Sequence, residues 1–166
     1  MTHARTFTAA FLALSITGYS GAQTVRCTTW NLQWFPNGSG NEASPAQTDQ
    51  RIKEAADVLR PINPDIVLLQ EVRGYDACAR LGEAIAPGIY HVVICSAFKE
   101  PFQRGLGKQQ VAILSKYQAQ AAWAEPWKSM NGVDPPRGFA FVWFKIGTKT
   151  LVLFGASKEQ CDYSWC

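Results

Sequence analysis

The sequence predicts a layered α/β domain. Three observations carry that expectation. A continuous apolar run, Ile66-Val67-Leu68-Leu69, follows a proline turn, the pattern of a strand buried on both faces. Ahead of it, Ile52, Ala55, Ala56 and Leu59 recur at helical spacing. The order then runs strand, helix, strand, helix and on into mostly strands, as stacked layers of sheet and helix require.

Each element has a local reason. Val25 to Trp30 is short and partly β-branched, which reads as a first strand. Pro36 to Pro45 is rich in Gly, Asn and Ser and reads as a loop. Thr48 is placed to cap the first helix, and Pro61 and Pro64 to end it. Asp76 is placed to cap a second helix running to about Ala86. Tyr90 to Cys95 and Val111 to Leu114 read as further strands, and Gly147-Thr148 joins Phe139–Phe144 to Thr150–Phe154 in a hairpin. There is no internal repeat and no coiled-coil heptad.

The first 22 residues read as a targeting signal. His3 and Arg5 precede an apolar run from Phe7 to Ile16, and Ser20-Gly21-Ala22 supplies the small residues of a cleavage site. The run is too short to span a bilayer, which takes about 20 apolar residues, and no other segment is a candidate. The expectation is an exported protein, periplasmic or secreted, beginning near Gln23. Export permits disulfides, but Cys27, Cys78, Cys95, Cys161 and Cys166 are an odd number and sequence does not pair them. No Cys/His cluster suggests zinc, and His91 is the one histidine after the signal segment.

Length and composition suit one globular domain: 166 residues, 47% hydrophobic and 17% charged. A net charge of +3 is too small to argue for nucleic acid by itself. The chemistry must come from particular residues. Asn31 stands where the first strand runs out, and Glu71 where the second does. Ligands of α/β sheets collect at strand carboxyl ends. A carboxylate and an amide meeting there suit a hard cation such as magnesium, which prefers oxygen and keeps several waters. Singly, Asn31 is as readily a turn cap and Glu71 a solvated charge. Trp30, Trp34, Trp143 and Phe154 read as core residues rather than a base-stacking platform. Lys116 reads as solvated. Gln103-Arg104-Gly105-Leu106-Gly107-Lys108 reads as a flexible connection, and it lacks the strand-to-helix setting of a phosphate loop.

Taken in order, Thr29-Trp30-Asn31-Leu32-Gln33-Trp34, then Pro64-Asp65-Ile66-Val67-Leu68-Leu69-Gln70-Glu71-Val72, then Gln110-Val111-Ala112-Ile113-Leu114-Ser115-Lys116 resemble the endonuclease/exonuclease/phosphatase family. That family includes secreted DNases, abasic-site endonucleases, sphingomyelinases and inositol-polyphosphate phosphatases. The resemblance covers roughly Val25 to Phe154. It implies half of a four-layer α/β sandwich, a two-sheet DNase-like fold cut after its first half. The implied domain spans residues 23–155, followed by a divergent tail over 156–166.

The resemblance also implies roles. Glu71 matches the glutamate that binds the divalent metal, expected to be magnesium with calcium or manganese as alternatives. Asn31 matches the asparagine beside metal and phosphate. Arg73 resembles an arginine with which secreted DNases touch DNA, and Arg137 a phosphate-contacting arginine; a guanidinium fork suits phosphate. After the last strand the family carries a histidine, an Asp-x-Asn pair and a late Ser-Asp-His, and the residues after Phe154 match none of these. The implied protein is an exported, nuclease-like phosphodiesterase acting on phosphoesters, nucleic acid among the candidates, and inactive as this chain stands. The alternatives are a non-catalytic module for phosphorylated ligands and a gene fragment without function.

Overall fold

The computed structural model describes residues 24–99, 105–128 and 137–156. The segment expected to be a targeting signal, the tail beyond Ala156 and part of the connection ahead of Lys108 lie outside them. Seven strands and two helices follow in the order β1 (Cys27–Phe35), α1 (Pro45–Ile62), β2 (Ile66–Val72), α2 (Tyr75–Ile85), β3 (His91–Cys95), β4 (Gln110–Ser115), β5 (Ala119–Pro126), β6 (Gly138–Ile146) and β7 (Lys149–Ala156). They form two sheets. One has the order β1-β2-β4-β3, with β1 and β2 parallel and the other pairs antiparallel. The other is the antiparallel β5-β6-β7.

The central strands set the layers. Successive side chains point to opposite faces of a sheet. Val67, Leu69, Ala112 and Leu114 therefore join a core with Ile52, Ala56 and Leu59 of α1 and Leu81 of α2. Ile66, Leu68, Val111 and Ile113 point the other way, into a second core with Ala140, Val142, Phe144 and Ile146 of β6. Both cores exclude water: Ile66, Leu69, Ile113, Leu114 and Phe144 are all fully buried. The apolar run is thus a two-faced strand, as its composition predicts.

Several expected boundaries move. Helix α1 starts four residues early. Ser44, not Thr48, caps it: Ser44 Oγ accepts from Gln47 N at 3.3 Å and Ser44 N donates to Gln47 Oε1 at 2.9 Å, a reciprocal capping box. Pro61 falls in the last turn and Asn63 closes the helix in the left-handed conformation. Asp76 is not the cap of α2. Gly74 holds that position without a side-chain bond, and Asp76 lies in the first turn, where a carboxylate meets the positive end of the helix dipole. Strand β5 has no sequence signal, because Ala119 to Pro126 is alanine-rich and alanine is a poor strand former. It is recruited by pairing with β6 along Ala122↔Val142 and Ala124↔Ala140. The β6–β7 hairpin turns at Gly147, where φ is 59°.

The aromatic residues need correction. Trp30 does pack against the helix-side core. Trp143 and Phe154 are exposed, at 41% and 61%. They lie on the outer face of the β5-β6-β7 sheet, where Trp123 stacks on Phe141 at 3.8 Å and Phe141 meets Phe154 edge-on at 4.9 Å. Lys116 is not a freely solvated charge either. Its ammonium donates to Asn63 Oδ1 at 2.7 Å, lies 3.4 Å from Asp65 and sits over the Tyr90 ring.

Candidate active site at the strand ends

Asn31 and Glu71 come from neighbouring parallel strands and meet where both end. Asn31 Nδ2 donates to Glu71 Oε1 at 2.8 Å. The backbone brings them together through a local break. On β2, Val67 and Leu69 face the helices, and Val72 returns to that same core. The alternation therefore slips by one residue, and the register shifts on both sides of β2 at this point. The extra residue is Glu71, at φ 58°. Such a bulge re-aims a side chain. On β1, Gln33 and Trp34 are also left-handed, at φ 48° and 59°. Arg51 of α1 braces them, donating to the carbonyls of Leu32 at 3.2 Å and Gln33 at 3.4 Å. A left-handed non-glycine residue costs roughly 1–3 kcal/mol and clusters at functional sites.

Gln109, which sequence reading passed over, completes the constellation. Its Nε2 donates to Glu71 Oε2 at 2.7 Å. Its backbone carbonyl accepts from Arg137 Nη1 at 3.0 Å, and its Oε1 accepts from Arg137 Nη2. A line of polar contacts thus joins Asn31, Glu71, Gln109 and Arg137 and bridges the two sheets. Arg137 itself is left-handed, at φ 77°, immediately ahead of β6. Nothing in the sequence distinguishes Gln109 from its neighbour Gln110. Only the topology reveals that one turns to the site and the other to the interior.

Asn31 is further fixed because its Oδ1 accepts from Gln33 N at 2.9 Å. Arg73 lies two residues past Glu71 and pairs with Glu42 of the loop before α1. Lys108 reaches the same loop, donating to the Gly40 carbonyl at 2.8 Å and lying 3.8 Å from Glu42. The hydrogen bond from Arg73 holds the Glu42 carboxyl below its usual range. A depression of about 400 Å³ lies between β1 and α1, with Asn31 and Gln33 on its border. A slightly larger one, about 440 Å³, lies between α1 and α2 near Arg60 and Arg80, away from the strand ends. His91 is exposed at the start of β3 and pairs with Ser115. Ser115 also faces Ile66, at the opposite end of the sheet from Glu71.

The family follows from the fold and the sequence together. The profile of the Endonuclease/Exonuclease/phosphatase family matches residues 28–160. The chain belongs to this family. Its fold is similar to that of an endonuclease/exonuclease/phosphatase family protein from Leptotrichia buccalis C-1013-b, with a TM-score of 0.59 at 12% identity. The likeness covers 84% of this chain and 57% of that one, so the chain spans well under two thirds of its structural relative. No curated protein matches it. Members of the family act on phosphoesters and use divalent metal ions. Among the described residues no group of three or more His, Cys, Asp and Glu side chains converges. The donors at the strand ends are one carboxylate with the amides of Asn31 and Gln109. That set fits magnesium, which is commonly held by one or two carboxylates and water.

Proposed function

We propose that this chain carries the metal- and phosphate-binding part of an exported, nuclease-like phosphodiesterase site. The observation that supports this best is the unbroken line from Asn31 through Glu71 and Gln109 to Arg137. It links a carboxylate through the Gln109 amide to a guanidinium at the end of a sheet, the place where ligands of layered α/β folds bind.

Glu71 is the proposed ligand of the cation, and Asn31 holds that carboxylate in place from the neighbouring strand. A divalent metal bound there would polarise a phosphoryl oxygen. Arg137 is the proposed phosphate contact, its guanidinium positioned by Gln109. Arg73, two residues past Glu71, and Lys108, next to Gln109, add positive charge of the kind that meets the phosphates of a polynucleotide. These residues bind and orient. They do not supply a base for water, because the one histidine among the described residues, His91, sits at the far end of the sheet. General acid–base assistance is typically worth ~10²–10⁴-fold. The proposal is therefore that this chain alone binds metal and phosphate without turning over phosphodiesters at an enzymatic rate.

The test uses the purified chain with magnesium or calcium, offered DNA, RNA and bis-p-nitrophenyl phosphate. No turnover above background is expected. Turnover that survives purification and vanishes in Glu71→Ala would refute inactivity while keeping the site.

A further inference from the structure

We propose that Cys78 and Cys95 are a redox pair that closes to a disulfide between α2 and β3, with Cys95 as the attacking thiol and a small-molecule disulfide as the oxidant. The proposal is independent of the reading of Glu71 as a metal ligand.

The sequence leaves the cysteines unpaired, and the fold brings two of them together. Cys78 lies on the buried stripe of α2 with Leu81, Gly82 and Ile85. Cys95 ends β3 opposite Ala112, which faces the helices. Residues opposite each other across a ladder share a face. Cys95 therefore packs against the same core that holds Cys78. Both are free thiols, and Cys78 donates a hydrogen bond to Cys95 Sγ. Cys27 is not a rival. It begins β1, and β1 and β3 are the opposite edges of their sheet. The strand spacing sets those edges roughly 14 Å apart, whereas a disulfide needs its Cα atoms within about 7 Å.

The two thiols differ in the way that exchange requires. Cys78 is fully buried, and Cys95 is partly exposed on an edge strand. The hydrogen bond to Cys95, together with burial, holds the Cys78 thiol well above its usual range. Accepting that bond holds Cys95 below its own. The thiolate is the nucleophile, so Cys95 reacts first. It attacks one sulfur of oxidised glutathione, breaks that S–S bond and releases one glutathione as its thiolate. Cys78 then gives up its proton, attacks the Cys95 sulfur and expels the second glutathione. Two protein thiols are oxidised to one disulfide, and one glutathione disulfide is reduced to two thiols.

The bond fastens the start of α2. Gly74 caps this helix without a side-chain bond, and Cys78 N meets the Gly74 carbonyl at 3.3 Å. Arg73 leads directly into Gly74, while Cys95 leads into Ser96, whose hydroxyl donates to Gln110 beside Gln109. One crosslink thus ties together two chain segments that border the candidate site.

The experiment incubates the reduced, purified chain with excess oxidised glutathione under argon. Remaining thiols are blocked with N-ethylmaleimide in denaturant, and the peptides are mapped by mass spectrometry. The expected product is a peptide linking Cys78 to Cys95. Its Tm should lie roughly 10 °C above that of the reduced chain, as closing a loop of this length predicts. Cys78→Ala should stop at a glutathione adduct on Cys95, and Cys95→Ala should leave Cys78 unmodified. A wild-type chain that melts cooperatively yet keeps both cysteines open to alkylation overturns the proposal. So does a link from either one to Cys27, Cys161 or Cys166. Should a variant fail to fold, early quenching of the wild-type reaction decides the order of attack. Glutathione found on Cys95 supports that order, and glutathione found on Cys78 overturns it.

Discussion

Replacing Gln110 by alanine should cost more stability than almost any other polar change in this chain. Gln110 is 1% exposed, at the start of β4. Its Oε1 accepts from the Ser96 hydroxyl at 2.7 Å and from Phe98 N at 2.8 Å. Its Nε2 donates to the carbonyls of Phe98 at 3.0 Å and Gly107 at 2.6 Å. One buried side chain therefore clamps both arms of the connection between β3 and β4. The Phe98 carbonyl keeps a second donor, Gly107 N at 2.8 Å. The Phe98 N–H, the Ser96 hydroxyl and the Gly107 carbonyl lose the bonds they make to Gln110. Each buried group left unmet costs roughly 1–3 kcal/mol. Some water entry will soften this, so the expected loss is about 3–5 kcal/mol. For a domain of this size that lowers Tm by roughly 10 °C. Urea and thermal melts followed by circular dichroism measure it. Gln110→Glu, which keeps the acceptor and loses both donors, should destabilise as well. A loss below about 1 kcal/mol in Gln110→Ala would refute the clamp.

Other expectations are more local. The Tyr90 hydroxyl donates to the Pro64 carbonyl at 2.5 Å, and burial, with a smaller push from Asp65, raises its pKa. Its protonated form is thus favoured in the fold: the stability it confers is full below the ordinary tyrosine range and is lost as pH rises through the raised value. Tyr90→Phe should remove that alkaline loss from a series of melts at increasing pH. Phe144→Ala empties a fully buried site between the sheets and should cost about 3–5 kcal/mol by urea unfolding. Trp143→Lys with Phe154→Lys, both on the exposed aromatic face, should lower self-association in light scattering with little change in Tm. N-terminal sequencing of exported material should begin at or near Gln23.

The sequence shows the layers because the strongest physical signal, burial, is written in its periodicities. Ile66 to Leu69 had to be a two-faced strand, and Ile52, Ala55, Ala56 and Leu59 had to be one stripe of a helix. Asn31 and Glu71 stand in the ordered motifs and Arg137 came from the family resemblance; the fold joins these three through Gln109. Gln109 was not legible, since two adjacent glutamines look alike until the pleat sends one inward. Strand β5 escaped because pairing, not propensity, makes it a strand. Trp143 and Phe154 were misassigned because alternation locates a strand without saying which of its faces is covered. On β6 the smaller Ala140 and Val142 face inward and Trp143 outward.

The arrangement also explains why the site tolerates so much unusual backbone. Gln33, Trp34, Glu71 and Arg137 are all left-handed, and each flanks or belongs to the polar line. Regular strands would have sent Glu71 towards the helices with Val67 and Leu69. The bulge costs stability and places a carboxylate at the strand end instead, and two well-packed cores offset that cost.

The central claim is that Glu71 holds a divalent cation at this strand end. Isothermal calorimetry with magnesium on the purified chain tests it most directly, with Glu71→Gln as the comparison, since that change keeps the size of the side chain and removes its charge. The expected result is weak, saturable binding in the wild type and none in Glu71→Gln. Tight magnesium binding that is unchanged in Glu71→Gln would contradict the account.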